Sequence, residues 1–257
     1  MQIQFKNTVA IISGATSGIG KATAKIFYNS GANLMLTGRR LDTPQELHAI
    51  LKNENTKVRY LAGDLTDSAF RKSLIDKTIQ EFGQLDILVN AAGIIGLETI
   101  ESTTLDDFDR MMNINLRSVF HLIQLAIPHL EKTKGNIVNI SSVAGLRSFP
   151  GVFSYCISKA ALDQLTRCAA LDLAPKKIRV NTVNPGVVVT NLHKRSGMSD
   201  EKYEKFLEHS KTTHPIGRVG TPEEVAKLIA FIASDEAEWI TGATHSIDGG
   251  RAQTCAR

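Results

Sequence analysis

The sequence predicts a doubly wound α/β fold, a mainly parallel seven-stranded sheet with helices on both faces. Three observations predict it. Apolar runs of strand length alternate with amphipathic stretches, the pattern of a parallel sheet covered on both sides. The length of 257 residues suffices for one large α/β core. No linker, repeat or composition break divides the chain, so residues 1–257 are expected to form a single domain.

Strands are expected at about Thr8–Ser13, Asn33–Thr37, Val58–Gly63, Leu85–Asn90, Asn136–Ser141, Arg179–Asn184 and Thr244–Asp248. Helices are expected near Gly18–Asn29, Gln45–Asn53, Ser68–Phe82, Thr104–Leu130, Val152–Leu173, Glu201–Lys211 and Pro222–Ala233. Asp67 or Ser68 supplies a cap for the third of these. Thr221-Pro222-Glu223-Glu224 offers a cap, a proline at the first helical position and two acids in the first turn. The alternation breaks between Thr190 and Arg218, a polar stretch that still carries Leu192, Met198, Tyr203, Phe206 and Leu207. A long excursion with that much apolar surface reads as a lid over about 190–217.

Composition excludes several classes. The formal net charge is +4, with no Lys/Arg cluster dense enough for a nucleic-acid footprint. No window approaches 18 uncharged apolar residues, so no spanning helix is expected. Met1-Gln2-Ile3-Gln4-Phe5-Lys6 lacks a charged cap followed by an apolar core, so no signal peptide is expected. Cys156, Cys168 and Cys255 form no C-x-x-C and read as free thiols in a reducing compartment. The seven histidines do not cluster with them, and no metal site is expected. A cytoplasmic protein is the expectation.

The first strand runs into Ser13-Gly14-Ala15-Thr16-Ser17-Gly18-Ile19-Gly20, followed by a helix. Glycines there let the chain turn sharply and let a pyrophosphate approach the free N–H groups of the helix start. The rival phosphate loop G-x-x-x-x-G-K-[ST] fails, because Ala15 and Ala22 occupy its first glycine and hydroxyl positions. A dinucleotide fold that selects NAD places an acid about 20 residues past the glycines. Here Gly38 stands near that point and Arg39-Arg40 follow. Guanidinium forks suit a 2′-phosphate, so NADP(H) is expected over NAD(H). Asp42 is expected to face the next helix.

Tyr155 and Lys159 lie at i and i+4 on one helix face, about 6 Å apart along the axis. Bringing a phenol from about 10 to about 7 needs roughly 4 kcal/mol. One ammonium at about 4–5 Å supplies a term of that size at an effective dielectric near 20. The strand Asn136–Ser141 ends in Ser141-Ser142, 13 residues before Tyr155. Asn90-Ala91-Ala92-Gly93 and Asn184-Pro185-Gly186 end two further strands, and ligands bind at such strand ends. No G-x-S-x-G elbow occurs, so Ser142 reads as a donor to a carbonyl rather than a nucleophile.

In order and spacing these segments resemble the short-chain dehydrogenase/reductase family over nearly the whole chain. The turn Ser13–Gly20 is similar to the family's T-G-x-x-x-G-x-G, with serine for threonine, Asn90–Gly93 to its N-[N/A]-A-G, and Tyr155–Lys159 to its Y-x-x-x-K. Asp64-Leu65 resembles its adenine-pocket dipeptide, Pro185-Gly186-Val187-Val188-Val189-Thr190 its nicotinamide-amide segment, and Asp248-Gly249-Gly250 its closing strand. Met112-Asn113-Ile114-Asn115-Leu116 resembles the helix with its catalytic asparagine, a role that falls to Asn115 rather than Asn113.

The resemblance implies a Rossmann fold and a hydride transfer between nicotinamide and a carbonyl or alcohol. It implies that Ser142 and Tyr155 bond the substrate oxygen and that Tyr155 exchanges the proton. Lys159 bonds the nicotinamide ribose and lowers the tyrosine pKa, and Asn115 holds a water linking Lys159 to solvent. It also implies a homo-oligomer, packed through the Asn115 and Tyr155 helices. Ile94, Ile95, Val143, Phe149, Phe153, Val187, Leu192, Met198 and Phe206 are candidate pocket residues, suited to a hydrophobic carbonyl of steroid, acyl or quinone type. The competing expectations are an NAD(H)-dependent dehydrogenase of a sugar or other polar alcohol, and a non-catalytic dinucleotide-binding sensor on the same fold. Cys156 is expected to turn away from Tyr155 by about 100°.

Overall fold

The structure, a computed structural model, describes residues 3–40 and 56–254. The helix expected over Gln45–Asn53, Asp42 and Cys255 lie outside the described residues. The strands are β1 (Val9–Ser13), β2 (Asn33–Gly38), β3 (Val58–Ala62), β4 (Ile87–Asn90), β5 (Asn136–Ile140), β6 (Arg179–Pro185) and β7 (Thr244–Ile247). They form one sheet in the order β3-β2-β1-β4-β5-β6-β7. Every pairing is parallel, with Val9 opposite Asn33 and Ala10 opposite Ile87. Parallel neighbours need a crossover, and helices supply it. These are α1 (Gly18–Asn29), α2 (Ser68–Phe82), α3 (Leu105–Met112), α4 (Ser118–Thr133), α5 (Phe153–Leu173), α6 (Leu192–Arg195), α7 (Asp200–Thr213) and α8 (Pro222–Ala233).

The core lies in two layers, because alternate strand residues point to opposite faces. Ala10 and Ile12 of β1, Ile87 and Val89 of β4, and Val138 and Ile140 of β5 pack with Phe27 and Ile229 of α1 and α8. Their neighbours Ile11, Leu88 and Ile137 pack on the other side with Leu74, Leu122 and Leu162 of α2, α4 and α5.

Two elements differ from the sequence expectation. The single helix expected over Thr104–Leu130 is α3 and α4 joined by a π-helical turn, Asn113–Arg117. The wider turn inserts a residue and carries Asn115 inward, where it is 1% exposed. The stretch 190–217 holds α6 as well as α7. Tyr203 of α7 donates to the Thr190 carbonyl (2.8 Å) and accepts from its N–H (3.1 Å), fixing this segment to the end of β6. Among the described residues no helix is long and apolar enough to cross a membrane.

Candidate active site

The C-terminal ends of six strands open on one cavity of about 450 Å³. Gly14, Thr16, Ser17, Gly18, Ile19 and Gly20 follow β1, Gly38 and Arg39 end β2, and Asp64 and Leu65 follow β3. Ala91, Ala92 and Gly93 follow β4, and Ser141 and Ser142 follow β5. Pro185, Gly186, Val188 and Thr190 come from the end of β6, and Tyr155 and Lys159 from α5. Sheet order reverses beside β1, between β2 and β4, the switch point at which such sheets bind ligands.

The glycine turn is held by the residue that departs from the family motif. Ser13 Oγ accepts from the N–H groups of Ala91 (3.1 Å) and Ala92 (3.2 Å), so serine does what a threonine hydroxyl would do. Gly14 has φ +67°, and a Cβ there would stand 2.8 Å from the Ala91 carbonyl oxygen. Ser17 caps α1 without a side-chain hydrogen bond, which leaves the first amides of the helix for a ligand. A close-approach turn with free helix-start amides on a cavity fits the pyrophosphate of a dinucleotide.

Arg39 lines the cavity. Arg40 is not among the lining residues; its guanidinium donates to the Thr16 carbonyl at 2.9 Å and so braces the glycine turn. Bonds from the Thr66 N–H and hydroxyl, with the Arg39 charge, hold the Asp64 carboxyl below its ordinary value against the opposing effect of burial. Arg195 of α6 lines the same cavity, its charge disfavoured first by burial and then by Arg40 and Arg39. Sequence reasoning missed Arg195, whose only signal was the basic run His193-Lys194-Arg195.

Asn90 does not line the cavity. Its Nδ2 donates to Asn139 Oδ1 at 2.8 Å, tying β4 to β5. Asn115 is likewise behind the wall. It accepts from the Ile94 N–H (2.9 Å) and donates to the Ile94 carbonyl (3.0 Å) and Ser158 Oγ (3.0 Å). Its Nδ2 also approaches Met111 Sδ at 3.1 Å, so the amide N–H groups are engaged within the protein.

Ser142 Oγ accepts from the Ala144 N–H at 3.1 Å, which leaves its O–H free to donate. Lys159 Nζ donates to the Ile140 carbonyl at 2.8 Å and lies 5.7 Å from the centre of the Tyr155 ring. The two side chains therefore do meet, but the acidity expected of the phenol is reversed. Burial pushes Tyr155 up to about 12, opposed by its hydrogen bond with Ser142. Burial likewise pushes Lys159 down to about 8, opposed by Asp163. Spacing along the helix sets the attraction between the two groups but not their desolvation, which is the larger effect on both.

Beneath the pair lies a buried network that the sequence did not announce. Asn184 Nδ2 donates to both the Ser142 carbonyl and Asp163 Oδ2, each at 2.9 Å. Gly145 packs closely on it: a Cβ there would stand 2.3 Å from Asp163 Oδ2, so a side chain would have to displace that carboxylate. Ser142 is thereby held from below by the helix that carries Tyr155.

Ile94, Ile95, Val143, Phe149, Val187, Leu192 and Phe206 line the cavity as expected, together with His193 and Arg251. Phe153 and Met198 are not among the lining residues. The Phe153 N–H is tied to the Glu98 carbonyl at 3.0 Å, and the Met198 N–H folds back on His193 at 3.3 Å. Cys156 is buried with Met111, Ala144 and Tyr155. Among the described residues no group of three His, Cys, Asp or Glu is placed to hold a metal.

Comparisons with known proteins show what the whole chain is similar to. A family model described as enoyl-(acyl carrier protein) reductase matches residues 14–252. The 3-oxoacyl-(acyl-carrier-protein) reductase FabG of Thermotoga maritima is 36% identical over 249 residues, 96% of this chain and 99% of that protein. An NADP-dependent (R)-specific alcohol dehydrogenase of Lentilactobacillus kefiri is 34% identical, over 97% of this chain and 98% of its own. A cofactor-bound crystal structure of a short-chain dehydrogenase/reductase of unknown function from Caenorhabditis elegans superposes with a TM-score of 0.92. It is 35% identical and covers 98% of this chain and 97% of that one.

Proposed function

The chain belongs to the short-chain dehydrogenase/reductase family of oxidoreductases, and from that premise we propose an NADP(H)-dependent enzyme acting on a hydrophobic ketone or secondary alcohol. One observation carries the reading: Ser142, Tyr155 and Lys159 stand on the cavity that also holds the glycine turn and the start of α1.

Gly14 to Gly20 and the first amides of α1 would hold the pyrophosphate, Asp64 and Leu65 the adenine, and Pro185 to Thr190 the nicotinamide amide. A bound nicotinamide supplies or accepts the hydride. The protein's part is position and proton. Ser142 and Tyr155 donate to the carbonyl oxygen, and Tyr155 then gives up its proton. At neutral pH the phenol is fully protonated, so reduction starts from the form that burial favours. Lys159 faces the phenolate left behind and stabilises it as long as it keeps its own proton. Asn115 ties the Ile94 backbone to Ser158 on the Tyr155 helix and so fixes part of the cavity wall relative to that helix.

The pH dependence follows from Lys159. Its charge is present below about 8 and is lost above it, so carbonyl reduction should fall on the alkaline side with one-proton slope from about that pH. Lys159→Arg, which keeps its charge at all accessible pH, should be slower yet lose that limb. An unchanged limb in the variant would exclude Lys159 as its source.

NADP(H) preference is supported by Arg39 and Arg195 on the cavity, by Arg40 near them, and by the absence of an acid at Gly38. Arg39→Ala should reduce the ratio of kcat/KM for NADPH over NADH by about tenfold or more, the size of one charge-assisted hydrogen bond. Equal use of both cofactors by the unaltered enzyme would count against the preference. We also place the enzyme in the cytoplasm as a homo-oligomer. Phe120 on α4 and Leu171 on α5 are 49% and 78% exposed on the helices expected to pack between subunits. A monomer in light scattering would refute the assembly.

A further inference from the structure

Ile94, Ile95, Val143, Phe149 and Val152 give the cavity an apolar stretch of wall, and Arg251 lines the same cavity against one of them. Arg251, in the turn after β7, places its Cζ 4.8 Å from the centre of the Phe149 ring. Phe149 in turn packs on the cluster that contains Tyr155, so a single ring separates the guanidinium from the packing around the reacting phenol.

The guanidinium is poorly satisfied. Its Nη1 makes one long bond, 3.5 Å, to the Thr213 carbonyl. The nearby Asp248 carboxylate is turned to other partners, accepting from the N–H groups of Gly250 (3.0 Å) and Ala252 (2.7 Å). A second guanidinium, Arg147, lies close by and donates to the carbonyls of Ala252 and Thr254. Burial and then Arg147 act against the Arg251 charge, and the Asp248 carboxylate favours it only through space, without a direct ion pair. Among the described residues neither arginine forms an ion pair. A half-buried cation on an apolar cavity ordinarily has an anionic partner.

Building on the oxidoreductase reading, we propose that Arg251 is the anchor for a carboxylate of the substrate. The substrate is then a keto acid or hydroxy acid whose apolar body spans from Tyr155 to the guanidinium. The planar fork matches a carboxylate in two parallel bonds. The Phe149 ring holds the fork from one side and takes the apolar body beside it.

The test uses phenyl ketones ending in a carboxylate at increasing chain length, each paired with its methyl ester, with NADPH and with NADH. For the best acid, kcat/KM should exceed that of its ester by about tenfold or more, with the difference in KM. Arg251→Gln should bring this acid-to-ester ratio close to one, and Arg251→Lys should keep part of it. No preference for any acid, or a preference that survives Arg251→Gln, overturns the anchor and leaves the oxidoreductase reading standing. Turnover of neither acid nor ester with either cofactor contradicts the oxidoreductase reading instead. Calorimetric titration of the acids into the NADPH-loaded protein then still decides the anchor. Binding that Arg251→Gln removes supports it, and binding that is absent or indifferent to the variant refutes it.

Discussion

Tyr155→Phe should lower kcat for carbonyl reduction by about 10²- to 10⁴-fold, the contribution of a positioned general acid, while dinucleotide binding survives. Phenylalanine keeps the ring among Met111, Ala144 and Cys156, so the packing of α5 is undisturbed. What goes is the hydroxyl that meets Ser142 and, in the reaction, the carbonyl oxygen. Single-turnover kinetics with bound NADPH separate the two effects. A variant that reduces ketones at the unaltered rate would remove Tyr155 as the acid.

Gly20→Ala should damage the fold itself. A Cβ at this position stands 2.4 Å from the Gly14 carbonyl oxygen and 2.7 Å from its carbon. Both are backbone atoms of the turn on which the pyrophosphate would lie, and they have no flexible end to move aside. The overlap is expected to reach or exceed the roughly 1–3 kcal/mol typical of overpacking, and shifting the turn should weaken dinucleotide binding as well. Gly83 makes the contrast. It ends α2 at φ +80° with nothing within 4 Å of an added Cβ, so Gly83→Ala carries only the left-handed backbone penalty, about 1–2 kcal/mol. Chemical denaturation of the two variants measures the difference. Equal destabilisation would mean that the Gly14–Gly20 contact is looser than described.

The central strands were legible because burial on both faces leaves no polar phase. β1 is Val-Ala-Ile-Ile-Ser with every residue buried, and such a run reads as a strand without knowledge of its neighbours. Helix starts were legible where the cap is chemical. Asp67 accepts from the Ala69 N–H at 2.8 Å, and Thr221 and Glu224 form a reciprocal capping box. The π-helical turn at Asn113–Arg117 was not legible, since the shift in hydrogen bonding depends on what Asn115 meets across the gap, Ile94 and Ser158.

For the site, motif residues whose backbone forms the strand ends could be placed from the chain alone. Those that act through contacts distant in sequence could not. Asp163 meets Asn184 across 21 positions, and Arg251 reaches a ring about 100 positions away. The acidity of Tyr155 was misjudged for the same reason. Spacing sets the distance to Lys159, but only the assembled fold determines how much water the two groups lose.

The central claim, that this cavity passes hydride between nicotinamide and a carbonyl carbon with Tyr155 handling the proton, is tested most directly by isotope transfer. The enzyme is incubated with NADPH carrying deuterium at the reactive ring carbon and with apolar ketones and keto acids. The product alcohols are then analysed by mass spectrometry. The account predicts one deuterium on the carbinol carbon with the unaltered enzyme, and the same label accumulating about 10²- to 10⁴-fold more slowly with Tyr155→Phe. Tight NADPH binding with no label in any alcohol, or labelling at equal rates by both proteins, would contradict it.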